Sequence, residues 1–282
     1  MKRQQQNPLM RRPRFTGQTV LVTGGSSGIG FAIAFCFASE GADIVLVARN
    51  RERLEKAGLE LQKSFSVRIL PASCDVTNPT QVARVMADAF QRFGRLDILV
   101  NNAGIGLIAP VERVQVEDAR TLFETNFFGA LICMQAAFPY FRRQGRGHVV
   151  NIASLAGLRG IPNSGLYAAT KAALIALSDS ARIEWRKYKI RVTVICPGRV
   201  RLGETGFFAA ARKYGDVRLY KAPEITAKAV ADATVEAVRS NKRLVVLPMH
   251  ARLTYCLHKC APAVLDRILH RKMPRLEVAS RP

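Results

Sequence analysis

The sequence predicts an α/β chain: a doubly wound parallel sheet of about seven strands with helices on both faces. Two observations carry that expectation. Short apolar runs rich in Val and Ile recur along the chain, and stretches of helical length separate them. A strand without polar alternation is buried on both faces, and such strands joined by helical crossovers form a parallel sheet. Right-handed crossovers wind that sheet in two directions and place functional loops at the carboxyl ends of its strands.

The first strand is TVLVTG (19–24), and TGGSSGIG (Thr23 to Gly30) follows it, opening the helix FAIAFCFASEG. A glycine-rich strand-to-helix turn lets backbone N–H groups approach a pyrophosphate at a helix N-terminus. The spacing G-x-x-x-G-x-G differs from the commoner G-x-G-x-x-G, and a tight turn alone is the plainer reading. The second strand, DIVLVA (43–48), ends at Ala48 and Arg49, where an NAD-preferring fold places an acid. An arginine there can pair with a 2′-phosphate, which points to NADP(H), with NAD(H) the alternative.

The third strand, VRILPA (67–72), leads into SCDVT. Asp75 there suits an adenine amino group or a helix N-cap, a role open also to Thr77 and Asn78. A helical stretch (80–93) precedes LDILVNNAG (96–104), whose NNAG end is either a tight turn or a wall against a cofactor. The stretch 111–143 is of helical length, HVVNIAS (148–154) is a strand, and LAGLRGIPNSGL is a loop into the helix 166–187. IRVTVICPG (190–198) and RLVVLP (243–248) complete the sheet.

On the helix 166–187, Tyr167 and Lys171 stand one turn apart and point the same way. A buried Lys is costly unless paired, so the pair is either surface decoration or chemistry. TGGSSGIG, CDVT, NNAG, Asn126 in ETNFFG, Ser154 in NIAS, YAATK and CPG occur in that order. Together they resemble the short-chain dehydrogenase/reductase family over roughly residues 17–248. The resemblance implies a Rossmann-like catalytic domain and hydride transfer between NADP(H) and a carbonyl or secondary alcohol. It implies that Tyr167 is the general acid, that Lys171 holds the nicotinamide ribose and lowers the phenol pKa, that Ser154 bonds the carbonyl oxygen, and that Asn126 positions a water. Cofactor contacts would come from Gly24, Ser26, Ser27, Gly28, Ile29, Gly30, Arg49, Asp75, Val76, Asn102, Ala103, Gly104, Tyr167, Lys171, Pro197, Gly198 and Val200. Substrate contacts would come from Ser154, Tyr167, Phe207 and Phe208. Leu202 stands where the family often has a Thr on the nicotinamide amide, and Ser27 where NADP-preferring members often carry a second basic residue.

Residues 199–222 coincide with the family's substrate lid, and their Phe207, Phe208, Tyr214 and Leu219 suggest a hydrophobic ketone such as a lipid or 3-oxoacyl chain. The family commonly pairs subunits through the helices carrying Asn126 and Tyr167, which implies a homodimer or homotetramer. Residues 1–16 read as a basic N-terminal extension and 249–282 as a basic amphipathic tail broken at Pro262. The tail suits helices folded back over the cleft or onto a sister subunit, or an interfacial anchor on anionic headgroups.

The net charge of +22, concentrated at both ends, suggests an anionic partner: a membrane surface, an acidic acyl carrier protein or nucleic acid. Nucleic acid is disfavoured because the basic ends lack aromatic interleaving and a binding motif. The six scattered cysteines fit reduced thiols in the cytoplasm, and on a helix His258 turns away from Cys256 and Cys260, so no metal is expected. No secretory signal or membrane-spanning run is read from the sequence. The alternative to an enzyme is a non-catalytic dinucleotide sensor, which would have no need of a Ser–Tyr–Lys set.

Overall fold

The computed structural model describes residues 14–202, 211–213, 223–249 and 251–272. The lid residues Phe207, Phe208, Tyr214 and Leu219 lie outside them. In chain order the first half comprises β1 (Thr19–Thr23), α1 (Gly28–Ser39), β2 (Asp43–Ala48), α2 (Arg51–Ser64), β3 (Ile69–Ser73), α3 (Pro79–Phe93), β4 (Ile98–Asn101) and the short β5 (Leu107–Ile108). Then follow α4 (Val116–Phe123), α5 (Gly129–Gln144), β6 (Gly147–Ile152), α6 (Leu155–Leu158), α7 (Gly165–Glu184) and β7 (Ile190–Pro197). The remaining elements are β8 (Arg199–Arg201), β9 (Arg212–Lys213), β10 (Glu224–Thr226), α8 (Ala227–Arg239), β11 (Leu244–Leu247), α9 (Ala251–Cys260) and α10 (Pro262–Lys272).

The seven-stranded sheet runs β11-β7-β6-β4-β1-β2-β3, and every pairing in it is parallel. The chain winds outward from β1 to β3, then crosses back to β4 on the other side of β1. That reversal opens a crevice at the carboxyl ends of β1 and β4, where ligands of such sheets bind.

Successive strand residues feed opposite layers. Val20, Val22, Ile44 and Leu46 pack with Ile33 and Phe37 of α1 and Val230 of α8. Leu21, Val45 and Val47 pack with Met86 of α3 and Phe141 of α5. Full burial of each such side chain contributes about 1.5–3 kcal/mol. Both faces are covered, which is why the strands read as continuous apolar runs.

The long stretch 111–143 is not one helix. A 3₁₀ turn (Val111–Arg113) precedes α4, and a single π-helical turn (Glu124–Phe128) joins α4 to α5. Nothing in an apolar pattern reports one extra residue in a turn, yet π-turns often mark functional positions, and this one carries Asn126. The loop after Ser154 also contains the one-turn helix α6, whose N-cap is Ser154 itself.

At the opposite end of the sheet, His148 is buried, with Nε2 2.8 Å from Thr193 Oγ1. Burial, reinforced by Arg191 and Arg182, pushes its pKa down to about 3. The unfolded chain therefore binds the extra proton between about pH 6.5 and 3, and stability falls on acidification through that window. His148 alone is expected to remove about 2 kcal/mol between pH 7.5 and 5. Urea melts across this range should show a flatter dependence for His148→Gln.

Candidate active site

Four strand ends build the site. Thr23 closes β1, and its Oγ1 accepts from Asn102 N and Ala103 N at 3.0 Å each while donating to Val100 O at 3.3 Å. Asn102 Nδ2 donates to Thr23 O at 3.0 Å and Gly24 O at 3.3 Å. The glycine loop after β1 and the NNAG turn after β4 are thus one braced unit. Gly24 and Gly28 have φ of +64° and +58°, a region that disfavours side chains. At Gly30 a Cβ would stand 2.2 Å from Gly24 O, so only glycine lets α1 start that close to the loop.

Asn126 reaches this unit from the π-turn. It is 1% exposed; its Oδ1 accepts from Ile105 N at 2.8 Å, and its Nδ2 donates to Ile105 O at 3.0 Å and Thr170 Oγ1 at 3.2 Å. Its side chain therefore clamps the main chain beyond NNAG and ties it to α7.

Ser154 follows β6, where its Oγ accepts from Ala156 N at 3.1 Å. The Ser154 hydroxyl stands beside the Tyr167 phenol and acts to lower its pKa. Lys171 Nζ lies 5.8 Å from the Tyr167 ring centroid and donates to Ile152 O at 2.9 Å. Both Tyr167 and Lys171 are buried, and Lys171 has no carboxylate partner among the described residues. Burial pushes the phenol up to about 12, opposed by Ser154, and pulls the ammonium down to about 8. In the protein alone desolvation is the largest influence on the phenol.

These groups line one cavity of about 260 Å³, together with Gly24, Ser26, Ser27, Gly28, Ile29, Asn102, Ala103, Gly104, Pro197, Gly198, Val200 and Leu202. One side of it is Gly24, Ser26, Ser27, Gly28 and Ile29 at the N-terminus of α1, suited to phosphates. Its far wall holds Ser154, Tyr167 and Lys171. The residues fit the phosphate and nicotinamide end of a dinucleotide. Leu202 faces Gly28 at 3.6 Å from where a Cβ would stand, offering an apolar wall in place of a hydroxyl.

Four expected contacts lie outside this cavity. Gly30 packs beneath the loop rather than in it. Val76 is buried against Gly129 at the start of α5. Asp75 Oδ1 accepts from Thr77 N at 3.0 Å and Thr77 Oγ1 at 2.9 Å, which holds its carboxyl below the usual range, while Asn78 is the N-cap of α3. Arg49 is exposed at the end of β2, close enough to Asp75 to lower it further. Arg49 and Asp75 thus flank the open continuation of the crevice.

Residues 18–212 match the profile of the short chain dehydrogenase family. This chain belongs to that family. Among relatives of this short-chain dehydrogenase is 11-beta-hydroxysteroid dehydrogenase 1A of Arabidopsis thaliana, 31% identical over 259 residues, 89% of this chain and 74% of the relative. A short-chain dehydrogenase from Streptomyces avermitilis superposes with a TM-score of 0.78 at 30% identity, over 90% of this chain and 95% of that one. An alcohol dehydrogenase from Thermococcus sibiricus, complexed with 5-hydroxy-NADP, does so with a TM-score of 0.71 at 28% identity, over 82% and 94%. The family, the fold and the relatives make the protein an NAD(P)-dependent oxidoreductase acting on a small molecule.

Two features of this short-chain dehydrogenase escaped sequence reasoning. Thr23 braces the NNAG turn against the glycine loop, and a hydroxyl between strand and loop is its available signal. Arg159, in the segment joining Ser154 to Tyr167, pairs with Asp266 at 2.5 Å and meets His258 Nδ1 at 3.5 Å. It thereby docks α9 and α10 against the catalytic segment. Ala251 and Leu265 are buried in that contact region, whereas Leu253 remains 73% exposed and Ile268 38%. His258 turns to Arg159 while Cys256 and Cys260 are exposed. No described helix is long and apolar enough to cross a membrane.

Proposed function

We propose that the protein is an NADP(H)-preferring reductase of a hydrophobic, lipid-like ketone. The supporting observation is that Ser154, Tyr167 and Lys171 line one cavity together with the glycine loop. The bound dinucleotide supplies the hydride. Tyr167 donates its proton to the carbonyl oxygen, and Ser154 donates a hydrogen bond to the same oxygen. Burial keeps the phenol protonated at neutral pH, the form that ketone reduction consumes. Lys171 stands near enough to compensate the phenolate left behind, and two donors of its ammonium remain for ribose hydroxyls. Asn126 acts as a positioning residue through Ile105 and Thr170.

The NADP(H) preference rests on Arg49, with no acid at the end of β2. Titration should show NADPH binding at least about tenfold more tightly than NADH, and Arg49→Asp should reverse the order. Equal affinities in the parent would end this assignment. The lipid-like substrate is supported by the exposed Leu253, Val264 and Ile268 among Arg252, Lys259, Arg267 and Arg271 on the docked tail. NADPH oxidation should rise with ketone chain length, and further when the ketone is carried in anionic rather than neutral vesicles.

A further inference from the structure

A second concave surface lies at the other end of the sheet. It is a groove of about 1200 Å³ walled by the residues that precede β1, β4, β6 and β7 and follow α7 and α8. At about 3.3 Å per strand residue it lies about 15–25 Å from the active-site cavity. Among the described residues, the only acid on its lining is Asp97. Arg95 neutralises that carboxylate through two 2.6 Å hydrogen bonds, and Arg146 stands 3.8 Å from it. Arg239, also on the lining, pairs with Glu236.

Among the described residues, no ion pair joins an acid to five lining cations: Arg14, Arg182, Arg186, Lys189 and Arg191. Arg182 is half-buried beside Arg243, its Nη2 donates to Arg243 O at 2.8 Å, and burial and Arg243 lower its pKa against Asp179. Four arginine forks and one lysine match several phosphate groups at once, because guanidinium binds phosphate bidentately. The groove offers no exposed aromatic platform for bases, since its one aromatic, Phe15, is buried against Phe37.

We propose that this groove binds a small polyphosphate anion, a chain of linked phosphates carrying at least three negative charges, at a site separate from the dinucleotide. The shared chemistry is the phosphate chain, whether free or on a nucleoside.

The test is calorimetric titration of the full chain, saturated with NADPH, with inorganic tripolyphosphate at about 0.1 M salt. Binding at micromolar Kd is expected, weakening at least tenfold in the exposed pair Arg186→Ala/Arg191→Ala while NADPH affinity is unchanged. ATP tested likewise separates the sources: equal affinity means recognition of the phosphates alone, and tighter ATP binding means the nucleoside is also held. Unchanged tripolyphosphate affinity in the double variant overturns the proposal, as does binding no tighter than that of sulfate. A single-stranded oligonucleotide that binds tenfold more tightly than either and is lost in the same variant also overturns it. NADPH binding is measured in every arm, so failure here leaves the reductase reading standing.

Discussion

Tyr167→Phe should lower kcat/KM for ketone reduction by about a hundredfold to ten-thousandfold, the range a positioned general acid contributes. The substitution removes one oxygen from a buried ring that packs with Leu107, Leu122 and Ala156, so the fold is expected to persist. The Ser154 hydroxyl keeps its contact with Ala156 N. NADPH affinity should move less than about threefold, because the glycine loop, Asn102 and Lys171 are untouched. Stopped-flow turnover alongside a cofactor titration separates the two quantities. A variant that turned over a good ketone at the parent's rate would remove Tyr167 from the chemistry, and with it the role given to Ser154.

The second large effect is expected from Gly30→Ala. The new methyl would lie 2.2 Å from Gly24 O and 2.5 Å from Asn102 Nδ2, and the first of these is backbone that no rotamer can move aside. Relief requires α1 to withdraw from the loop and the Asn102 amide to shift, which weakens its bonds to Thr23 O and Gly24 O. Destabilisation of about 1–3 kcal/mol should result, with dinucleotide affinity reduced at least about a hundredfold. Gly17→Ala is the control. Gly17 has φ of +74° but open space around it, so that variant should lose about 1 kcal/mol and keep its cofactor affinity. Equal cofactor binding by Gly30→Ala and the parent would show that the cradle does not depend on this contact.

Residue order alone predicted the parallel sheet, its crossover helices and the gathering of Thr23–Gly30, NNAG, Ser154 and Tyr167-x-x-x-Lys171 at one edge of it. Buried strands and amphipathic helices leave a local periodic trace, and strand polarity then places each loop. Charge states, by contrast, were not legible. The phenol at about 12 and the ammonium at about 8 depend on how much water the assembled walls exclude, a property of several distant segments together. The same holds for Asn126, whose partners Ile105 and Thr170 lie 21 and 44 positions away, and for Arg159, whose partner Asp266 is 107 away. The basic groove belongs here too. Its arginines are scattered from Arg14 to Arg239 and read singly as solvated charges, and only the parallel sheet, by aligning the strand starts, brings them together. Periodicity is local and survives in a linear string, whereas desolvation and charge convergence exist only between chain segments that folding makes neighbours.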